Sequence, residues 1–310
     1  MATKNHLSGT VIIMSNKLAE FQKIILPQLE EQLNSYLNGL NAAPTLKKAM
    51  LYSLESGGKR IRPMLLLAIC HMFNRQIDEG VFAAAGSLEL LHTYSLIHDD
   101  LPEMDNDDLR RGRPTNHKVF GQAEAVLAGD GLLTTAFEWL ASCHLSAQLK
   151  VALLSRFATA AGPQGMVSGQ IADIEGEKKE LTLVQLKALH QLKTGALLQY
   201  ACQAGGIISG ATAAQMTELL NFGSCFGLAF QIYDDILDVV STQAELGKAV
   251  HKDQVEHKNT YPGLLGLNGA YQELDNALLN ARTALNELKH TGIETGILDD
   301  FLRYFSRKDN

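Results

Sequence analysis

Two clusters of aspartates are placed where they could bind metal ions. The first, within residues 98–108, contains Asp99, Asp100 and Asp105. The second, within residues 233–238, contains Asp234, Asp235 and Asp238. Each cluster ends a long apolar stretch, where unpaired carboxylates would repel one another and lose hydration, and a bound cation would remove both costs. An acidic run is also typical of a solvated surface or a helix cap, but two such runs behind apolar stretches favour a metal site.

The chemistry of the clusters indicates which metal they would hold. Their ligands would all be oxygens, with no neighbouring cysteine and no histidine-rich pattern, and this favours Mg²⁺ over Zn²⁺. Mg²⁺ held by few carboxylates completes its coordination shell with water and with substrate phosphates. The clusters therefore predict a phosphorylated substrate.

Basic residues bracket both acidic clusters along the chain. They occur in five short segments, 57–63, 110–111, 193–195, 247–248 and 258–262. Each segment alone is typical of a surface charge, whereas the whole set indicates anions that are bridged by metals and bound by Lys and Arg. The phosphate loop G-x-x-x-x-G-K-[ST] is missing, which disfavours an ordinary nucleotide site. A cationic site above an apolar interior predicts an apolar substrate that carries a diphosphate.

Helical periodicity dominates the chain and predicts the elements that carry these residues. Apolar residues recur at three- and four-residue steps, and no stretch shows the sustained alternation of a hairpin. The predicted helices cover 18–36, 63–73, 83–98, 123–144, 151–161, 183–204, 212–240, 270–288 and 297–305. Pro27 predicts a kink or break in the first helix. We expect about ten helices or more in one all-α domain that covers residues 1–310.

The aspartates take defined positions on two of these helices. Asp234 and Asp238 are four residues apart and therefore share one helix face. Pro102 is expected to end the helix over 83–98, which allows Asp105 to fold back beside Asp99.

Charge, hydropathy and cysteine usage exclude several classes of protein. The 310-residue chain has a net charge of −7, whereas a nucleic-acid partner requires a surplus of Lys and Arg. Its longest apolar runs fall far short of the ~20 residues of a membrane span. The apolar run 11–14 is too short for the core of a signal peptide. The four separated cysteines lie in apolar surroundings, as is typical of reduced residues, so we expect a cytoplasmic protein.

The order of the motifs resembles that of the trans-prenyltransferases, and within them the bacterial farnesyl diphosphate synthases. In chain order the motifs are G-G-K-R-I-R-P, D-D-x-x-x-x-D with R-R-G-R-P after it, G-Q-x-x-D, K-T-G, F-Q-x-x-D-D-x-x-D and G-K. They span residues 57–262. The resemblance implies an all-α isoprenoid-synthase fold around a central cavity, a homodimer, and three Mg²⁺ ions with Mn²⁺ as an alternative metal.

The resemblance also implies a role for each matching residue. It assigns the metals to Asp99, Asp105 and Asp234, with Asp100 and Asp235 as neighbouring catalytic residues. It assigns isopentenyl diphosphate to Lys59, Arg62, His92 and Arg111. It assigns the allylic diphosphate to Arg110, Lys193, Thr194, Gln231, Lys248 and Lys258. His257 and Asn259, on either side of Lys258, depart from the family's pattern.

The implied activity is condensation of isopentenyl diphosphate with dimethylallyl and then geranyl diphosphate, through an allylic carbocation, to give farnesyl diphosphate. In the family, an aromatic residue at the position of Tyr94, here followed by the small Ser95, accompanies products of fifteen carbons. Ordinary core packing is the alternative role of that ring.

Other activities share parts of this pattern. A geranylgeranyl or geranyl diphosphate synthase would share the motifs and differ in product length. A terpene cyclase would not need Lys59, Arg62 and His92. A non-catalytic prenyltransferase subunit would typically lack aspartates that are complete here, and a metal phosphohydrolase would leave the second cluster unexplained.

Overall fold

Apolar residues at helical spacing form the buried faces of a set of packed helices. The computed structural model describes residues 16–241 and 259–305, and it confirms the all-α prediction. The helices are α1 (Lys17–Gly39), α2 (Pro44–Leu54), α3 (Ile61–Met72), α4 (Glu79–Asp99), α5 (Asn116–Phe120), α6 (Gln122–Ser142), α7 (Ala147–Ala161), α8 (Met166–Gly176), α9 (Leu183–His190), α10 (Ala196–Ile208), α11 (Ala213–Val240), α12 (Tyr261–His290) and α13 (Gly296–Leu302). A π-helical turn (Gln191–Gly195) joins α9 to α10, and a 3₁₀ turn (Arg303–Phe305) follows α13.

Helices α4 and α11 carry the two acidic clusters and lie inside the bundle. Helix α4 packs on α6, α3 and α1, while α11 packs on α12 and α10. Most side chains of α4 are buried, because neighbouring helices surround it. Its two aspartates, Asp99 and Asp100, stand at the C-terminal end, where the chain turns away from the helix.

The first helix corrects the prediction of a break, because α1 continues through Pro27. Helix α1 continues from Lys17 to Gly39 with the proline inside it. Pro27 is exposed, so water can solvate the carbonyl that loses its hydrogen bond. Five apolar side chains on the opposite face are buried and keep the helix on the core, namely Phe21, Ile25, Leu29, Leu33 and Leu37.

Several elements differ from the predicted set. The predicted segment 183–204 is divided by the π-helical turn into α9 and α10. Helices α2, α5 and α8 were not predicted, because their apolar periodicity is short. The chain also forms a two-stranded antiparallel sheet, in which β1 (Leu109–Arg110) pairs with β2 (Arg113–Pro114). This small hairpin holds Arg110 and Arg111 close to the end of α4.

Among the described residues, no helix has the length and apolar character that crossing a bilayer requires. The interpretation of residues 1–310 as one domain stays a prediction.

Close packing of α4 on α6 predicts the effect of one substitution. A Cβ atom at Gly86 would lie 2.3 Å from the Trp139 ring, which is itself stacked on Tyr36. Gly86→Ala should therefore lower the free energy of unfolding by about 1–3 kcal/mol, the usual cost of overpacking. Urea denaturation followed by circular dichroism measures this cost.

The matched control is Gly39→Ala, since a Cβ atom at Gly39 meets nothing within 4 Å. This control should leave the free energy of unfolding unchanged or slightly higher. Equal stability of the two variants would contradict the packing argument.

Candidate active site

The first acidic cluster forms where α4 ends and the chain reverses. The backbone N–H of Asp105 donates to the carbonyl of Asp99 at 2.8 Å, within a turn that contains Pro102. Asp105 thus returns to the side of Asp99, as the sequence predicts. The two carboxylates belong to one turn of chain, so the backbone itself holds them near each other.

The Asp99 carboxyl has a raised pKa. Burial raises its pKa to about 6, the Lys193 ammonium opposes this rise, and the carboxylate of Asp105 adds to it. Both unfavourable effects act on the ionised form. A cation bound at this carboxylate would oppose the effects of burial and of Asp105 on the pKa, and it would hold Asp99 ionised near neutral pH.

Asp100 faces a different partner from Asp99. It is buried, and Arg110 Nε donates to its Oδ1 at 2.9 Å. Burial opposes the charge on Arg110, but the hydrogen bond and charge of Asp100 outweigh burial and raise the pKa of Arg110. Asp100 therefore fixes the guanidinium of Arg110.

The second acidic cluster combines a cavity residue with buried support. Asp234 lies in a cavity wall, whereas Asp235 and Asp238 are buried. One oxygen of Asp235 accepts from Gln231 Nε2 at 3.0 Å and the other from the backbone N–H of Tyr261 at 3.0 Å. Asp235 therefore binds the start of α12 to α11.

Gln231 continues this chain of hydrogen bonds toward Lys193. Its Oε1 accepts from the hydroxyl of Thr194 at 3.0 Å, on the π-helical turn. The second cluster and the K-T-G motif are therefore joined by side chains 37 residues apart in sequence. Gln231 and Thr194, both predicted as ligands of the allylic diphosphate, lie together.

Lys193 is positioned by unusually close backbone packing. It lies on the π-helical turn, and a Cβ atom at Gly169 of α8 would fall 2.2 Å from its backbone nitrogen. Only glycine allows this approach. The ammonium of Lys193 forms an ion pair with Asp173, one turn along α8. Single π-helical turns inside helices often mark functional sites.

An apolar cavity of about 710 Å³ extends from this cluster. Asp99, Lys193 and Thr194 line its polar part, and its apolar walls come from Leu101, Met104, Val126, Met166, Val167, Ile171 and Ile174. Tyr94 and Ser95 also line it. The Tyr94 ring meets His98 edge to face, with ring centroids 5.5 Å apart. A cavity of this size and character suits an elongated apolar ligand with a charged head.

A second cavity, of about 420 Å³, is lined by several cationic side chains. Its lining includes Lys59, Arg62, His92, Arg110, Arg111 and Asp234. Arg62 Nη1 lies 3.1 Å from His92 Nε2, so a hydrogen bond there requires His92 to accept. Burial, together with the charge of Arg62, keeps the pKa of His92 well below its usual value. The two cavities share Arg62 and His92.

The buried charge of Arg62 is not fully balanced by hydrogen bonds and neighbouring negative charge. Burial lowers the pKa of its guanidinium to about 10, and its buried Nε has no hydrogen-bond partner among the described residues. Such an orphaned donor in a cationic cavity is satisfied by an anion. The second cavity therefore fits a diphosphate group.

The two clusters offer carboxylate oxygens as donors, and oxygen donors suit Mg²⁺ better than a soft transition metal. Within residues 16–241 and 259–305, no group of three or more His, Cys, Asp or Glu side chains is gathered for a metal ion. Mg²⁺ usually takes one or two carboxylates and completes its shell with water and substrate phosphates. Asp99, Asp105 and Asp234 could hold such ions, with the remaining ligands from a diphosphate.

Some of the predicted site lies beyond these observations, and some supporting residues were missed. Lys248 and Lys258 lie outside the described residues. The predicted site omitted Asp173 and Glu89, which pair with Lys193 and Arg60 respectively. Both gave a signal, since Asp173 ends the G-Q-x-x-D motif and Glu89 is a charge within a strongly apolar segment.

Comparisons with known proteins agree with this geometry. The farnesyl diphosphate synthase of Geobacillus stearothermophilus is 53% identical over 249 residues, which are 79% of this chain and 84% of that protein. The farnesyl diphosphate synthase of Bacillus subtilis (strain 168) is 45% identical over 278 residues, 89% of this chain and 94% of that protein. A geranylgeranyl pyrophosphate synthase of Capsicum annuum is 47% identical over 228 residues, 73% of this chain and 62% of that protein.

Solved structures show the same similarity. A geranyltransferase of Helicobacter pylori, complexed with magnesium and isoprenyl diphosphate, is 35% identical, has a TM-score of 0.81, and is matched over 93% of this chain and 96% of its own. The profile of the polyprenyl synthetase family matches residues 43–294. The chain therefore belongs to the polyprenyl synthetase family.

Proposed function

We propose that this protein is a Mg²⁺-dependent prenyltransferase that condenses isopentenyl diphosphate with dimethylallyl and then geranyl diphosphate to form farnesyl diphosphate. One observation carries the proposal: an apolar cavity with Asp99 and Lys193 at its polar part adjoins a second, cationic cavity around Arg62. Two diphosphates and one growing hydrocarbon chain match these two cavities. Similarity to two bacterial farnesyl diphosphate synthases supports the product.

The cationic and apolar groups divide the work of the reaction. Lys193, with Arg110 from the wall of the adjoining second cavity, would neutralise the allylic diphosphate as its C–O bond ionises. Asp173 and Asp100 keep these cations in place. Bound Mg²⁺, held by Asp99, Asp105 and Asp234, would supply further positive charge to the departing diphosphate. The proposal includes three such Mg²⁺ ions, and it includes Mn²⁺ as an alternative metal.

The second cavity would present the other substrate to the allylic cation. Lys59, Arg62 and Arg111 would bind the diphosphate of isopentenyl diphosphate. The apolar wall of the first cavity excludes water, which would otherwise trap the cation. The double bond of isopentenyl diphosphate then attacks, and a proton leaves the adduct. The departed diphosphate is the base that we propose for that proton.

A homodimer is part of the proposal, and exposed apolar side chains of α5 and α6 support it. Val119 of α5 and Val126 and Leu127 of α6 are 45%, 39% and 59% exposed. Val126 also lines the apolar cavity, so a second copy on this face would cover the cavity wall. Sedimentation velocity tests the dimer.

We also propose a cytoplasmic location and one domain over residues 1–310.

Geranylgeranyl diphosphate synthase is the second candidate function. The relative from Capsicum annuum is named for that activity and matches 73% of this chain. Tyr94 favours the shorter product, because its ring lines the apolar cavity five residues before Asp99, about 7.5 Å along the helix axis.

The first prediction tests the acidic clusters. Asp99→Ala and Asp234→Ala should each lower turnover by about 10²–10³-fold or more, because each removes negative charge that would hold the metal diphosphate. Turnover is measured with isopentenyl and dimethylallyl diphosphate, with and without Mg²⁺.

The matched control is Asp108→Ala, from the same acidic run. Asp108 is exposed and pairs with Lys118 at the surface, so its loss should leave turnover close to that of the wild type. Helical circular dichroism should be the same for all three variants. Near-normal turnover by Asp99→Ala or Asp234→Ala would refute the two-cluster mechanism.

The second prediction tests the division between the two diphosphates. Arg62→Ala or Lys59→Ala should raise KM for isopentenyl diphosphate about ten- to hundredfold, as loss of a charge-assisted hydrogen bond does. Lys193→Ala should raise mainly KM for the allylic substrate. Steady-state kinetics with each substrate varied in turn give these constants. If Lys59→Ala weakened both substrates equally, the division would be wrong.

The third prediction concerns product length. Tyr94→Ala should open the apolar cavity and yield products of twenty carbons or more, because a fourth isoprene unit would no longer meet the ring. Tyr94→Phe keeps the ring and is the control, with fifteen-carbon products expected. Chromatography of the dephosphorylated products measures the distribution. An unchanged distribution in Tyr94→Ala would show that another residue limits the chain.

A further inference from the structure

Arg60 is a buried cation inside the motif that supplies the second cavity. It is 3% exposed and occupies the left-handed region, with φ 48° and ψ 34°, immediately before α3. A residue other than glycine seldom adopts this conformation unless its surroundings hold it there. Hydrogen bonds of the Arg60 side chain hold the backbone in this conformation.

Four of the five N–H donors of Arg60 are used within the protein. Nε donates to Glu30 Oε1 at 2.8 Å, Nη1 to Glu89 Oε1 at 2.8 Å, and Nη2 to the carbonyl of Leu54 at 2.7 Å and to Glu30 Oε2 at 3.3 Å. These acceptors belong to three helices, α1, α4 and α2. Arg60 thus has little capacity left for a ligand and serves as an anchor.

The anchor lies between two cations that line the second cavity. Lys59 precedes Arg60 and Arg62 follows it two residues later, and both line that cavity. On α4, Glu89 holds Arg60, and one turn later His92 contacts Arg62 at 3.1 Å. One helix face therefore sets the position of two arginines, Arg60 just before α3 and Arg62 in its first turn.

We propose that Arg60, held by Glu30 and Glu89, is a positioning residue that fixes Lys59 and Arg62 for binding of a diphosphate in the second cavity. The identity of that diphosphate as isopentenyl diphosphate rests on the proposed function. The lysine and arginine donate to the ligand, and Arg60 acts on the ligand only through them.

The charge of Glu89 distinguishes two roles for this residue: positioning of Arg60, or a counter-charge alone. Glu89 lines the cationic cavity, so its carboxylate would repel a diphosphate bound there. If Glu89 acted only as a counter-charge, its removal would tighten diphosphate binding. If Glu89 positions Arg60, its removal loosens the start of α3 and weakens diphosphate binding.

The experiment compares Arg60→Lys and Glu89→Gln with the wild type. Lysine keeps the charge but cannot bond three acceptors with a planar fork, and glutamine keeps the shape of Glu89 but not its charge. Both variants should raise KM for isopentenyl diphosphate about tenfold and leave KM for the allylic substrate within about twofold. The control is Arg75→Lys, since Arg75 pairs with Asp78 in a half-exposed position just before α4.

Equilibrium binding makes the result independent of turnover. Calorimetry with isopentenyl diphosphate and with inorganic diphosphate should show the same roughly tenfold loss in both variants. If the wild type binds these probes but does not condense the substrates, the proposed function fails while the positioning role stands. If the wild type binds neither probe, the positioning role fails.

Folding of the variants is checked by circular dichroism and thermal denaturation. If Arg60→Lys does not fold, Glu30→Gln replaces it, because the Glu30 side chain is 36% exposed and its amide can still accept from Arg60. Glu30→Gln should give a smaller loss in the same direction. Tighter binding, an equal loss for both substrates, or lower stability with unchanged binding would each overturn the proposal.

Discussion

Desolvation of charge is the constraint on which the site depends. Burial raises the pKa of Asp99 to about 6 and lowers that of Arg62 to about 10, so each group is held in its ionised form at a cost. These costs are met during folding, by the packing of the apolar helices. The proposed ligands would reduce both costs, because Mg²⁺ would bring positive charge to Asp99 and the diphosphate of the second cavity would bring negative charge to Arg62. Burial of these two charges thus favours a metal ion at Asp99 and a diphosphate at Arg62.

Carboxylates behind the cations keep the site in place before a ligand arrives. Asp100 binds Arg110, Asp173 binds Lys193, and Glu89 binds Arg60. Each pair restricts a long side chain that would otherwise lose conformational entropy on binding. These carboxylates lie on α4 or α8, or at the end of α4. Rigid helices rather than loops therefore determine where the positive charge lies.

Close approach of helices joins the charged and apolar parts of the site. The π-helical turn brings Lys193 against Gly169, and a Cβ atom at Gly227 of α11 would lie 2.8 Å from the Cα of Gly195. Helices α8 and α11 thus both pack tightly on this turn. Since α8 also supplies the apolar residues Ile171 and Ile174, the same packing forms the cavity wall next to the ammonium.

The sequence by itself determined most of the helices, the two acidic clusters and the return of Asp105 to Asp99. These features are local, because apolar periodicity and a proline act within a few residues. Only the tertiary structure decided the partners of the charges. Spacing along the chain does not reveal that Arg60 pairs with Glu30 and Glu89, since such pairs depend on how separate helices cross. It also decided that α1 continues past Pro27, because buried contacts outweighed one lost hydrogen bond.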